Sequence, residues 1–152
     1  MNELMQAVSQ AETIAIGGHV RPDGDCIGSC MGLYSYIQDN FPGKKVTVYV
    51  EEIPSAFDYL SKEEAMTEQC GADQVYDLFV ALDCGDKERL GEAAGILEKA
   101  KATYCVDHHI TNTHFCQKEQ VEADASSTSQ ILYTLMEDEK ISYATACCLY
   151  TG

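Results

Sequence analysis

The sequence predicts an α/β fold, a mainly parallel sheet of about five strands flanked by helices, and three observations lead there. Short β-branched runs alternate along the chain with longer runs of helical periodicity, the pattern that right-handed βαβ units produce. The first of these runs, TIAIGG, is apolar after its opening Thr13 and reads as a buried strand. A length of 152 residues with 45% hydrophobic content makes about one domain with a real core.

The elements follow in order. Leu4, Met5 and Val8 share one face of a helix over residues 2–11, and TIAIGG (13–18) is the first strand. In CIGSCMGLYSYIQ (26–38), Ile27, Met31, Tyr34 and Ile37 recur at helical spacing. The turn NFPGK leads into the second strand, KKVTVYV (44–50); YDLFVAL (76–82) is the third, a polar helix surrounds LGEAAGILEKAKA, and TYCV (103–106) is the fourth. HFCQKEQVEA adds a short fifth strand. SSTSQILYTLMEDE opens on hydroxyl caps and continues through Ile131, Leu132, Leu135 and Met136 as an amphipathic helix, and Ser142 caps a last helix, SYATACCLYTG. There is no internal repeat, low-complexity segment or linker. Because the chain stops at Thr151 and Gly152 without a polar tail, a domain cut short at its C-terminal end is expected.

Composition narrows the function classes. No apolar run approaches the roughly 20 residues that span a bilayer, and the N-terminus lacks the basic start and apolar core of a signal peptide, so a cytoplasmic protein without membrane contact is expected. The eight cysteines contain no C-x-x-C pair and lie mostly in apolar stretches, which suits reduced core residues. A formal charge of −15 repels phosphate backbones. Long duplex DNA is therefore not an expected partner. The acidity either keeps the protein soluble or marks carboxylates gathered in a cation site.

In open parallel sheets ligands collect at the carboxyl ends of strands. HVRPDGDCIGS follows the first strand and supplies His19, Asp23 and Asp25; DCGD follows the third and supplies Asp83 and Asp86; DHH follows the fourth and supplies Asp107, His108 and His109. An isolated Asp-x-Asp is usually turn chemistry. Several carboxylates converging on one edge repel one another unless cations lie among them, and imidazoles supply the remaining ligands. Oxygen and imidazole donors without thiolate suit Mn²⁺, with Mg²⁺, Fe²⁺, Co²⁺ or Zn²⁺ as substitutes. The ligands are too many for one ion, and Asp83, in the middle motif, is placed to bridge two.

HVRPDGDCIGS, ALDCGD and VDHHITN, followed by ADASSTSQIL, resemble the successive motifs of the DHH phosphoesterase superfamily over nearly all of residues 10–152. Within it the chain is most similar to the bacterial branch that pairs short-oligoribonucleotide nuclease activity with 3′-phosphoadenosine 5′-phosphate phosphatase activity; RecJ exonucleases and manganese inorganic pyrophosphatases are more distant. The resemblance implies a DHH domain over 1–152 that acts as a metal-dependent phosphoesterase on short oligonucleotides or small phosphonucleotides, through water activated by two Mn²⁺ ions. It implies one ion on His19, Asp23 and Asp83, a second on Asp25, Asp83 and His108, contact of His109 with the scissile phosphate, and Asp107 orienting the histidine pair. Ser126, Ser127 and Thr128 would either offer hydroxyls and N–H groups to substrate or cap their helix; Arg21 would meet a phosphate or remain in solvent.

Asp86 reads as a turn residue, His114 as a surface residue, and Glu51 and Glu52 as solvent-facing. Members of that branch continue past LYTG into a segment carrying one more aspartate and then into a C-terminal substrate-binding domain. The resemblance thus implies a fragment that binds metal weakly and has slight or no activity. A homodimer is compatible with the sequence. Two rivals stand beside this reading: a haloacid-dehalogenase-like phosphatase with PDGDC as nucleophile and acid, which leaves the histidine pair without a role, and a regulatory nucleotide-sensing domain without catalysis.

Overall fold

The structure is a computed structural model that describes residues 1–51, 66–67 and 74–151. Its centre is a parallel sheet of β1 (Thr13–Gly17), β2 (Lys45–Tyr49), β3 (Met66–Thr67), β4 (Leu78–Leu82), β5 (Ala102–Asp107) and β6 (Lys118–Val121), in the order β3-β2-β1-β4-β5-β6. The two-residue β3 adds an outer strand to the five expected. The helices are α1 (Glu3–Gln10), α2 (Gly24–Asn40), α3 (Ala93–Lys99), α4 (Thr128–Leu135) and α5 (Tyr143–Thr151).

The central strands read as unbroken apolar runs because both sheet faces are covered. All five residues of β4 are buried. On one face Ile14, Ile16, Val48, Leu78, Val80, Leu82 and Val106 pack with α1, α2, α4 and α5; on the other Ala15, Tyr49, Phe79, Ala81 and Cys105 pack with Leu90 and with Ala93, Ile96 and Leu97 of α3. The edge strand β6, KEQV, has one neighbour and stays polar and partly exposed.

Helix α2 is buried on nearly all sides because it lies between the sheet and α5. Gly32 permits this closeness, since a Cβ there would sit 2.7 Å from Leu149 Cδ2, and Thr145 Oγ1 donates to Ser35 Oγ across the contact at 2.9 Å. The N–H of Thr145 donates to Ser142 Oγ at 3.1 Å, which starts α5 at the expected cap.

Three expectations change. The polar helix around LGEAAGILEKAKA breaks into a 3₁₀ turn, Lys87–Leu90, and α3, because Gly91 takes a left-handed φ of 65°. Glu51 does not simply face solvent: it is half-buried, and its Oε1 accepts from the N–H of Glu92 at 3.2 Å. Cys147 is exposed and is not a core residue. Glu52 and Cys70 lie outside the described residues. Among the described residues, no helix is long and apolar enough to cross a membrane.

Candidate metal centre

The strand order reverses between β1 and β4, and in parallel sheets ligands bind at such a reversal, beyond the carboxyl ends of the strands. The motifs following β1, β4 and β5 meet there. Asp83 leaves β4 with φ 55°, a left-handed conformation that Asp tolerates better than most residues and that is found at functional turns. It is almost wholly buried, and its two oxygens face opposite neighbours. Oδ2 lies 3.4 Å from His19 Nε2, and Oδ1 lies 3.4 Å from His108 Nε2. His19 Nε2 is also 3.7 Å from Asp23 Oδ1, and His108 Nε2 is 3.4 Å from Asp25 Oδ2.

Each of these side chains is held by a second contact. His19 Nδ1 donates to the Val20 carbonyl at 2.7 Å, which turns Nε2 toward the carboxylates. Asp23 caps α2, its Oδ1 accepting from Cys26 N–H at 2.9 Å. Asp25 spans the start of α4, Oδ2 accepting from Thr128 N–H at 2.9 Å and Oδ1 from Ser129 N–H at 3.0 Å. Thr128 Oγ1 donates to Asp83 Oδ1 at 3.3 Å. His109 Nδ1 donates to Asp107 Oδ1 at 2.5 Å, and the other oxygen of this fully buried aspartate accepts from Asn112 Nδ2 at 2.8 Å.

The electrostatics are those of a crowded acidic site. Burial pushes the Asp83 carboxyl up, helped by Asp25 and Asp23 and opposed by His19. The Asp83 carboxylate in turn raises His19 to about 9, against the effect of burial. The distances fit a shared cation better than this proton. N–H···O bonds run about 2.7–3.2 Å, whereas two donors each about 2.0–2.2 Å from one ion stand roughly 3–3.5 Å apart. Among the described residues, two buried or half-buried groups have atoms close enough to hold an ion: His19, Cys26 and Asp83, and Asp83, His108 and His109.

His19, Asp23, Asp25, Asp83, His108, His109 and Asp107 thus lie in one network. Asp86 stands apart as the cap of the 3₁₀ turn, accepting from Arg89 N–H at 2.9 Å. Ser127 caps α4 through Gln130 N–H at 3.1 Å, and Ser126 donates its N–H and hydroxyl to Gln130 Oε1. Arg21 is exposed with φ 53°. His114 is exposed and pairs with Glu119 at 2.6 Å. The sequence reading gave no role to Asn112 or Cys26 and did not foresee that Thr128 joins Asp25 to Asp83. Their positions inside quoted motifs, Asn112 in VDHHITN, Cys26 in HVRPDGDCIGS and Thr128 in ADASSTSQIL, were the signal that could have found them.

A parallel α/β sheet carrying a carboxylate and imidazole cluster at its strand ends defines the general class. Residues 13–152 match the DHH family, N-terminal domain, and the chain belongs to that family. It is 29% identical over 98% of its length to a probable bifunctional oligoribonuclease and PAP phosphatase of Streptococcus mutans, and 31% identical over 99% to the bifunctional oligoribonuclease and PAP phosphatase of Mycoplasma pneumoniae. It spans about half the length of these curated relatives, 47% and 48%. The crystal structure of an exopolyphosphatase-related protein from Bacteroides fragilis superposes with a TM-score of 0.85 at 25% identity, over 98% of this chain and 47% of that one.

Proposed function

We propose that this chain is the cation-binding half of a phosphoesterase that hydrolyses phosphodiester or phosphomonoester bonds in short oligonucleotides or small phosphonucleotides. The observation that carries the reading is Asp83, whose two oxygens face His19 and His108 separately at 3.4 Å. That division suits a carboxylate bridging two divalent ions, with His19 and Asp23 completing one position and Asp25 and His108 the other. Mn²⁺ fits the oxygen and imidazole donors, and Mg²⁺ or Co²⁺ are substitutes. Bound ions would lower the pKa of a water toward neutrality and neutralise phosphoryl oxygens.

The protein supplies position and proton control. Asp107 accepts the Nδ1–H of His109 and fixes the orientation of the ring, so that Nε2 is the atom turned to a phosphoryl oxygen of the substrate. Asn112 holds Asp107 in turn. Arg21, exposed beside the first motif, is assigned to a second phosphate; Ser126 and Ser127, whose hydroxyls meet Gln130 at the start of α4, are assigned to the helix cap. The names of the relatives support oligoribonucleotides and 3′-phosphoadenosine 5′-phosphate as substrate classes.

The test follows thermal unfolding with Mn²⁺ and, in parallel, Mn²⁺-dependent hydrolysis of a diribonucleotide and of 3′-phosphoadenosine 5′-phosphate. An ion at 100 times its Kd adds about 2.7 kcal/mol, a rise of roughly 5–10 °C for a domain of this size. Asp83→Asn should abolish the rise and any hydrolysis, whereas Asp86→Asn should keep both. Equal responses from the two variants would sink the bridging role.

A further inference from the structure

The first turn of α2 carries a third potential donor beside the two aspartates. Cys26 is fully buried, and its sulfur lies with a nitrogen of His19 and an oxygen of Asp83, all within 4.8 Å of one another. The residue is anchored at both ends: its N–H donates to Asp23 Oδ1 at 2.9 Å and its Sγ lies 3.9 Å from the His19 carbonyl. Room for the sulfur comes from Gly18, where a Cβ would stand 2.2 Å from it. No sulfur is present in the other group, Asp83, His108 and His109. The two cation positions are therefore chemically unequal.

We propose that Cys26 is a further ligand of the cation position formed by His19, Asp23 and Asp83, and that this position takes a thiophilic divalent ion such as Co²⁺ or Zn²⁺. The position built on Asp25, Asp83 and His108 remains an oxygen and imidazole site suited to Mn²⁺. This rests on the two-cation reading above. Coordination exchanges the S–H bond for an S–metal bond of about 2.3 Å; the proton leaves to solvent, and no electron is transferred. Thiolate favours the later ions of the Irving–Williams series, of which Mn²⁺ is the weakest binder. Loss of such a donor should cost at least the roughly 10–100-fold in affinity that follows loss of a ligand's hydrogen-bond partner.

The experiment titrates Co²⁺ into metal-free protein and records the near-ultraviolet absorption, where a cobalt–thiolate bond gives a charge-transfer band. Wild type should show the band, saturating with one equivalent. Cys26→Ala should lose it while keeping the seven other cysteines, and should bind Co²⁺ and Zn²⁺ at least tenfold more weakly with its Mn²⁺-dependent thermal shift intact. That retained shift shows that the variant is folded. A wild-type protein that is stabilised by Co²⁺ without the band, or a band that survives in Cys26→Ala, overturns the thiolate ligand and leaves the cation centre standing. Absence of stabilisation by any of Co²⁺, Zn²⁺ and Mn²⁺ overturns the cation centre itself.

Discussion

Asn112 offers a sharp test of how the centre is supported, because it touches no proposed ion. Its Nδ2 donates to Asp107 Oδ2 at 2.8 Å, and its Oδ1 accepts from His114 N–H at 2.7 Å. Asp107 is fully buried and Asn112 is 7% exposed, so water has no easy route to either group. In Asn112→Ala the carboxylate loses a charge-assisted hydrogen bond of about 1.5–3 kcal/mol, and the His114 amide loses a neutral one of about 1 kcal/mol. The expected loss is about 2.5–4 kcal/mol, a large part of the roughly 5–15 kcal/mol that holds an ordinary domain together. In a chain of this length it lowers the melting temperature by roughly 5–16 °C.

Urea unfolding of metal-free protein measures this free energy directly, and an unchanged denaturant slope shows that both states keep their compactness. Thr113→Ala is the control. That neighbour is exposed, and its hydroxyl makes a single long bond to the Gly85 carbonyl at 3.3 Å, so its loss should lie within about 0.5 kcal/mol. A loss for Asn112→Ala no larger than the control's would refute the reasoning, because Asp107 would then have found another donor.

Three further outcomes are expected. Asp25→Ala removes both acceptors at the start of α4 and should cost about 2–3 kcal/mol without any metal, whereas Asp23→Ala removes one helix cap and should cost about 1 kcal/mol, both read by urea unfolding. Gly18→Ala puts a methyl group into the Cys26 sulfur and should cost about 1–3 kcal/mol; adding Cys26→Ala should return at least about 1 kcal/mol, which a double-mutant cycle measures. In metal-free protein His19 is raised from 6.5 to about 9 by Asp83, so it binds its proton more tightly folded than unfolded. The stabilisation, as much as about 3 kcal/mol, is fully present below pH 6.5 and is lost as pH rises through 9; Asp83→Asn should flatten this part of the stability profile.

The parts of the fold legible in the sequence are those whose environment is uniform. β1, β4 and β5 are covered on both faces, so apolar residues dominate them and the runs are conspicuous. β6 has one neighbour and reads KEQV, for which no burial pattern could be strong. The break before α3 was hidden because it depends on Gly91 meeting Val20 and Glu51, both distant in sequence; a Cβ on Gly91 would stand 2.8 Å from Val20 Cγ1. The candidate site divides in the same way. Acids and histidines directly after strands are visible as motifs, since strand ends converge in any parallel sheet. The N–H groups that hold Asp25 belong to residues more than a hundred positions away, and no local pattern announces them.

Those supporting contacts bear on the order in which fold and centre form. In a domain that folds around its metal, the ligands have no other partners and remain disordered without it. Here Asp23, Asp25 and Asp83 each already accept a hydrogen bond from the chain, and His19 donates one to a backbone carbonyl. The burial of Asp83 is partly offset by Thr128 and His19 before any ion arrives. The ligand positions therefore belong to the folded polypeptide, and an ion entering them relieves repulsion among carboxylates already fixed in place. It follows that chelation should leave the secondary structure intact and lower only the melting temperature. Collapse of the circular dichroism spectrum on removal of metal would show that the ions, not these hydrogen bonds, hold the strand ends together.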